Sequence, residues 1–314
     1  MNILITGGAG FIGSNLTQYH LNLNDDIYII DNLVTGNKKN IEELTNKKKL
    51  TFIEADITSF DFLKLPVFDV IYHLASPASP VQYKKYNIET MMTNSLGTYK
   101  MLEFFKSSGS KTFVISSTSE TYGDPLVHPQ TEDYWGNVNP VGVRSCYDEA
   151  KRFSEALVMS YYRRYDLNVR IARIFNTYGH NMEKNDGRVV SNFIMQSITN
   201  EPLTVYGKGD QTRSFCFVSD MIEGLYALGK TDNIKGEVIN LGNPNEMTVL
   251  KLANLVKKMT DTKSEIVFKP LDEDDPKKRK PDISKAKKLL NWQPSVSIEE
   301  GMRKTIVYFK QRFL

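Results

Sequence analysis

The chain has 314 residues, 40% of them hydrophobic and 25% charged, with a formal net charge of +3. That length buries a sizeable core in one large domain or two unequal ones, and so small a charge, scattered in Lys-rich patches at 46–49 and 277–280 and an acidic one at 272–275, points away from nucleic acid. Cys146 and Cys216 are the only cysteines and stand in no metal-ligand spacing, so no disulfide framework and no metal site is expected.

The chain begins with the apolar run 1–5 followed by glycines, so no signal peptide is expected. No apolar span of membrane-helix length follows, so the expectation is a cytoplasmic protein with no membrane contact. Runs 3–6, 27–31, 50–54, 67–74, 112–116 and 168–174 read as strands, several apolar on both faces. Between them, 11–21, 88–107 and 147–165 carry apolar residues at helical spacing. The expected fold is α/β: a doubly wound parallel sheet with a smaller α/β unit behind it. Beyond Tyr178 the rhythm loosens. "GHNMEKNDGR" reads as an exposed loop and "VVSNFIMQSIT" as a helix. "LTVYG" is a short strand, and "FVSDMIEGLYALGK" with "EVINLGN" a helix and strand that could return to the main sheet. A helix, a strand at 265–268, a charged loop and a terminal helix from Ile298 complete the chain. The expected division is 1–178, with a return segment near 215–245, and 179–314.

"ILITGGAGFIGSNL" joins a strand to a helix through Gly7, Gly10 and Gly13. Glycines let a backbone turn approach a pyrophosphate, whose charge the helix N-terminus meets. The second strand ends on Asp31, followed by Asn32. A carboxylate there accepts from ribose hydroxyls and repels a 2′-phosphate, which favours NAD over NADP; alternatively Asp31 merely opens a turn. Asp56 stands just after the third strand, where the strand end would face an adenine, or it is a helix N-cap or turn former. The candidate cofactor site takes in Gly7, Gly10, Phe11, Ile12, Gly13, Asp31, Asn32, Asp56, Ile57, Leu74, Tyr147 and Lys151.

Tyr147 and Lys151 form a YxxxK pair, one helical turn apart on one face. A lysine ammonium, with a cationic nicotinamide ring, favours the phenolate and makes Tyr147 a base toward an alcohol that gives up a hydride. Upstream, "ISSTSE" ends a strand with hydroxyls able to hold the same oxygen. Ser119 and Glu120 have a plain alternative as ordinary strand-end residues.

With "ARIFNTYG", these motifs resemble the extended short-chain dehydrogenase/reductase superfamily over essentially the whole chain. The blocks "HLASPASP", "STSETYGDPLVHPQTEDYWGNVNP", "CYDEAKR", "LTVYGKGDQTRSF" and "DDPKKRKPDI" resemble its UDP-glucuronate decarboxylases. The resemblance implies an NAD-dependent decarboxylation of UDP-glucuronate to UDP-xylose through a 4-keto sugar, with Thr118, Ser119, Glu120, Tyr147 and Lys151 catalytic. Related 4,6-dehydratases carry Asp-Glu where this chain has Ser119-Glu120, because loss of water needs an acid and loss of carbon dioxide does not; epimerases lack the glutamate. The resemblance also implies substrate contacts from Tyr83, Thr118, Glu120, Asn176, Asn192, Tyr206, Arg213 and Arg279, and a homodimer through helices 88–107 and 147–165. Plain alternatives remain: Arg279 on a solvated face, Arg213 neutralising Asp210, Tyr206 in the core. His73 reads as structural and Trp292 as packing. The rival readings are a dehydratase or 4-epimerase, a decarboxylase that releases the 4-keto pentose with NADH, and an inactive nucleotide-sugar-binding protein.

Overall fold

A computed structural model describes residues 1–45, 47–271 and 276–314. The acidic run 272–275 and Asn46 lie outside the described residues. Seven strands, β1 (Asn2–Thr6), β2 (Asp26–Asp31), β3 (Leu50–Glu54), β4 (Val70–His73), β5 (Thr112–Thr118), β6 (Val169–Ile174) and β7 (Val238–Leu241), form one sheet in the order β7-β6-β5-β4-β1-β2-β3. Every pairing in it is parallel. The returning strand expected from "EVINLGN" is thus β7, at the edge beside β6.

Strand periodicity decides which side chain goes to which face. Ile3, Ile5, Ile27, Ile29 and Val114 enter one core, with Leu16, Met221 and Leu225 packed over them. Leu4, Ile30, Phe113 and Ile115 enter the other, beneath Met101, Phe105 and Val158. Burying each such side chain contributes about 1.5–3 kcal/mol, so both faces of the sheet are committed to helices. What remains open is the edge where the strands end, and the order reverses there between β1 and β4. That is where a doubly wound sheet leaves a crevice for ligands.

Three expectations need correction. The helix expected over 88–107 is broken: Asn87–Met92 and Thr98–Ser108 are α-helical, and Thr93–Gly97 between them is a π-turn. Asn94 explains it, because its carbonyl accepts from Ser154 Oγ (2.6 Å) and its amide donates to Ser76 Oγ (2.8 Å), bonds outside the helical ladder. The strand expected over 67–74 shortens to Val70–His73. Residues 179–188 do form a loop, but only Lys184 and Asn185 are exposed. Its polar groups face inward: His180 O accepts from Asn15, Asn181 donates to Ser14, and Glu183 accepts from Asn37.

Beyond the main sheet, Leu203–Tyr206 pairs with Ile266–Lys269, and Thr212–Ser214 pairs with Glu246–Thr248. These ribbons stand over the carboxyl end of the sheet. Trp292 packs as expected: it is buried, its indole N–H donates to Asp220 O at 2.9 Å, and its ring closes on Gly224. Among the described residues no helix is long and apolar enough to cross a membrane.

Candidate active site

One cleft of about 570 Å³ runs along the carboxyl ends of β1, β2, β4 and β5. At its first end, β1 passes into Gly7, whose φ of +73° suits glycine and whose added Cβ would lie 2.8 Å from the Ala75 backbone. A Cβ on Gly13 would come 2.1 Å from Gly7 O, so the turn closes only with glycine there. Gly10 opens the helix Phe11–Asn22 with no side-chain cap, which leaves first-turn N–H groups for an anion. Asp31 ends β2 and is 7% exposed; its carboxylate accepts from Ala9 N (3.0 Å) and Leu33 N (2.8 Å). Burial raises its pKa against those two donors. The acid is thereby fixed against the glycine turn with lone pairs left for a ribose. Asp56 forms a turn, accepting from Thr58 N–H and O–H and from Asn32, and still lines the cleft. Phe11, Ile12, Asn32, Ile57 and Leu74 line it too. A glycine cradle that any Cβ would fill, next to a buried carboxylate, fits an NAD dinucleotide.

At the other end, β5 delivers Thr118 into a tight 3₁₀ turn, Ser119–Tyr122, where Thr118 Oγ1 accepts from Glu120 N at 3.2 Å. The helix Ser145–Tyr165 passes alongside and presents Tyr147 and Lys151 on one face. Tyr147 hydrogen-bonds with Thr118, and Lys151 Nζ donates to Ser116 O at 2.8 Å. Burial pushes the Tyr147 phenol up to about 12, outweighing the Thr118 hydrogen bond, and burial draws Lys151 down to about 7. Lys151 Nζ lies 5.9 Å from the centre of the Tyr147 ring, and burial works against the charged form of both groups.

Glu120 is paired with two arginines. Its Oε2 accepts from Arg144 Nη2 and, at 3.2 Å, from Arg279 Nη2, while Arg279 Nη1 donates to Ser119 O at 2.6 Å. Burial would raise the Glu120 pKa, but Arg279, Arg144 and Arg213 outweigh it and hold the group ionised. Asp148, 3.9 Å from Arg144 Nε, is driven the opposite way by burial and by the charge of Glu120. The two neighbouring carboxyls are thus pushed in opposite directions. Arg144 and Asp148 escaped the sequence reading, although Arg144 lies one helical turn ahead of Tyr147.

Arg279 is not on a solvated face: it is 1% exposed and stands behind Glu120. Tyr206, 40% exposed, is not in the core and lines the cleft with Asn176, Asn192 and Arg213. Arg213 Nη1 donates to Thr212 O and Asn192 Nδ2 to Gly187 O. Tyr83 lies against Tyr147. His73 is buried between Thr6 Oγ1 (2.8 Å) and Thr98 Oγ1 (3.1 Å), a structural histidine held neutral by burial. Among the described residues no group of three or more His, Cys, Asp or Glu could hold a metal ion.

A family model described as GDP-mannose 4,6 dehydratase matches residues 4–305. The chain is 51% identical over its whole length to UDP-glucuronic acid decarboxylase 1 of Arabidopsis thaliana, covering 71% of that protein. It is 50% identical to UDP-glucuronic acid decarboxylase 1 of Danio rerio over 98% of the chain and 72% of the relative. The structure of UDP-glucuronic acid 4-epimerase from Bacillus cereus, in complex with UDP-glucuronic acid and NAD, superposes with a TM-score of 0.89 at 30% identity, covering 100% of both chains. The chain belongs to the UDP-glucuronic acid decarboxylases, within the GDP-mannose 4,6 dehydratase family of extended short-chain dehydrogenases/reductases.

Proposed function

We propose that this chain decarboxylates UDP-glucuronate to UDP-xylose through a 4-keto sugar, with NAD regenerated in each cycle. The observation that carries the reading is the Ser119-Glu120 turn. One ionised carboxylate is neutralised by two arginines, and a hydroxyl stands where elimination of water would need a second acid. The names of the relatives and the UDP-glucuronic acid and NAD in the Bacillus cereus complex support it.

Tyr147 takes the proton of the sugar 4-hydroxyl while Thr118 hydrogen-bonds the same oxygen. NAD, which the glycine turn and Asp31 would hold, would supply a reversible hydride acceptor for C4. The ketone lies beta to the C6 carboxylate, so the C5–C6 electrons pass into an enolate whose oxygen Tyr147 and Thr118 hold by hydrogen bonds. Glu120, ionised, orients a water that protonates C5. Its pairing with Arg144 and Arg279 limits repulsion of the substrate carboxylate. Tyr147 then returns its proton to O4, so each turnover takes up one solvent proton and releases one carbon dioxide.

Residues 1–178 with the return segment near 215–245 serve the cofactor, and 179–314 serve the nucleotide sugar. Arg213 and Asn176 meet the diphosphate, Tyr206 the uracil, and Asn192 the sugar side; Arg279 acts through Glu120. The functional unit is a homodimer, for which Ile88, Met92, Tyr99 and Phe153 offer an exposed apolar face on adjacent helices. The protein works in the cytoplasm, which suits its free thiols. Incubation with UDP-glucuronate and NAD+, followed by proton NMR and absorbance at the NADH band, tests the reading. UDP-xylose without net NADH supports it, and turnover of UDP-glucose in its place refutes it.

A further inference from the structure

We infer that Glu155 and Arg173 form a positioning pair that ties the catalytic helix to the Ser119–Tyr122 turn and sets a carboxylate one helical turn behind Lys151. The pair touches no reacting atom, and the inference rests on the proposed reaction only for its kinetic assay. Tyr147, Lys151 and Glu155 follow one another at four-residue spacing on the helix Ser145–Tyr165, so Glu155 extends the catalytic face one turn behind the cleft. Its Oε1 accepts from Ser117 Oγ at 2.5 Å and from Arg173 Nε at 2.9 Å, and its Oε2 accepts from Arg173 Nη2 at 2.8 Å. Ser117 lies on β5 between Ser116, whose carbonyl receives Lys151, and Thr118.

The guanidinium reaches onward. Arg173 Nη1 donates to the Tyr122 hydroxyl at 3.0 Å and to Glu132 O at 3.0 Å. Tyr122 closes the turn that carries Ser119 and Glu120, and its own hydroxyl donates to Asn240 Oδ1 on β7 at 2.8 Å. Asn240 Nδ2 is spent on Gln130 O and Asp282 O. A continuous set of partly buried polar contacts therefore runs from the catalytic helix through β6 to the catalytic turn. A fork-to-fork arginine–carboxylate pair is the stiffest link such a set can have.

Charge adds a second role. Tyr147 and Glu155 on its own helix and His73 from β4 are the titratable groups around Lys151; β5 offers it a carbonyl. His73 is neutral and Tyr147 is a phenol, so Glu155 is the group that favours the ammonium. Removing one partner of this partly buried pair leaves the other charge uncompensated, which links Arg173 to the same function.

The test uses Glu155→Gln, which keeps the shape and removes the charge. Lys151 titration is followed in the cofactor-free protein by nitrogen NMR of its side chain, a readout that needs no substrate. The midpoint should fall by about one unit. In turnover assays kcat should fall about tenfold with KM changed less than about twofold, and the high-pH loss of activity should begin about one unit lower. A Lys151 midpoint and pH profile identical to wild type, whatever happens to thermal stability, would overturn the inference. If Glu155→Gln does not fold, Tyr122→Phe removes one hydroxyl of the set and leaves both charges. It should lower kcat with the Lys151 midpoint unmoved, and an unchanged kcat would overturn the positioning role. A shifted midpoint in a protein that does not turn over UDP-glucuronate would leave the pair standing and remove the proposed reaction.

Discussion

Tyr83 and Tyr147 stack face to face, with ring centroids 4.8 Å apart and planes 3° from parallel. The helix Pro80–Lys85 that carries Tyr83 thereby sets the plane of the catalytic ring; Tyr83 lines the same cleft, and its buried hydroxyl has no hydrogen-bond partner among the described residues. Stacked pairs contribute about 0.5–1.5 kcal/mol beyond their area, enough to select one ring orientation. Tyr83→Leu should lower kcat about tenfold, while Tyr83→Phe, which keeps the stack, should lose less. Steady-state kinetics of the two variants separate ring positioning from the hydroxyl.

Glu120 holds its charge because Arg144 and Arg279 converge on one of its oxygens. Glu120→Gln keeps the shape and removes the charge that orients water at C5. Turnover should fall about a hundredfold or more, with NAD affinity within about twofold of wild type. Calorimetric titration of NAD beside the kinetic assay checks both halves.

Ser119 is buried, and its carbonyl is already occupied by Arg279. Ser119→Asp would place a second carboxylate beside Glu120 and facing the substrate's own. Decarboxylation should slow by at least about tenfold, with the loss appearing in KM as well as kcat because the bound anion is repelled. Kinetics at two salt concentrations would show whether charge is the cause.

Lys151 has a folded pKa of about 7, below the value near 10.4 of an unfolded lysine. Between those values the unfolded chain binds more protons, so wild-type stability rises with pH through that window, and the full penalty is present below pH 7. Lys151→Met removes the group. In the cofactor-free protein it should be stabilising at pH 6 relative to its effect at pH 10 by an amount on the order of 4 kcal/mol. Urea denaturation at the two pH values measures the difference, while turnover should be lost.

The cofactor end of the cleft was legible in the sequence because its constraints are local. Gly7 and Gly13 are dictated by a turn of seven residues, and Asp31 by the end of one strand. Tyr147 and Lys151 were legible because four-residue spacing on a helix is itself a geometry. Arg279 was singled out only through the family resemblance, because its burial depends on a β5 turn some 160 positions away that a basic run does not show. The network from Glu155 to Asn240 joins a helix, a turn and two strands, and no spacing along the chain announces it. The loop 179–188 misled for a related reason: its polar groups are met by Asn15, Ser14 and Asn37, partners that composition does not show.

Turnover of UDP-glucuronate in deuterated water with catalytic NAD+ tests the central claim most directly, because carbon dioxide leaves C5 and a solvent proton takes its place. The account predicts UDP-xylose carrying one deuterium at C5, with no accumulation of NADH. A product that keeps its carboxylate and acquires no deuterium at C5, inverted only at C4, would contradict it.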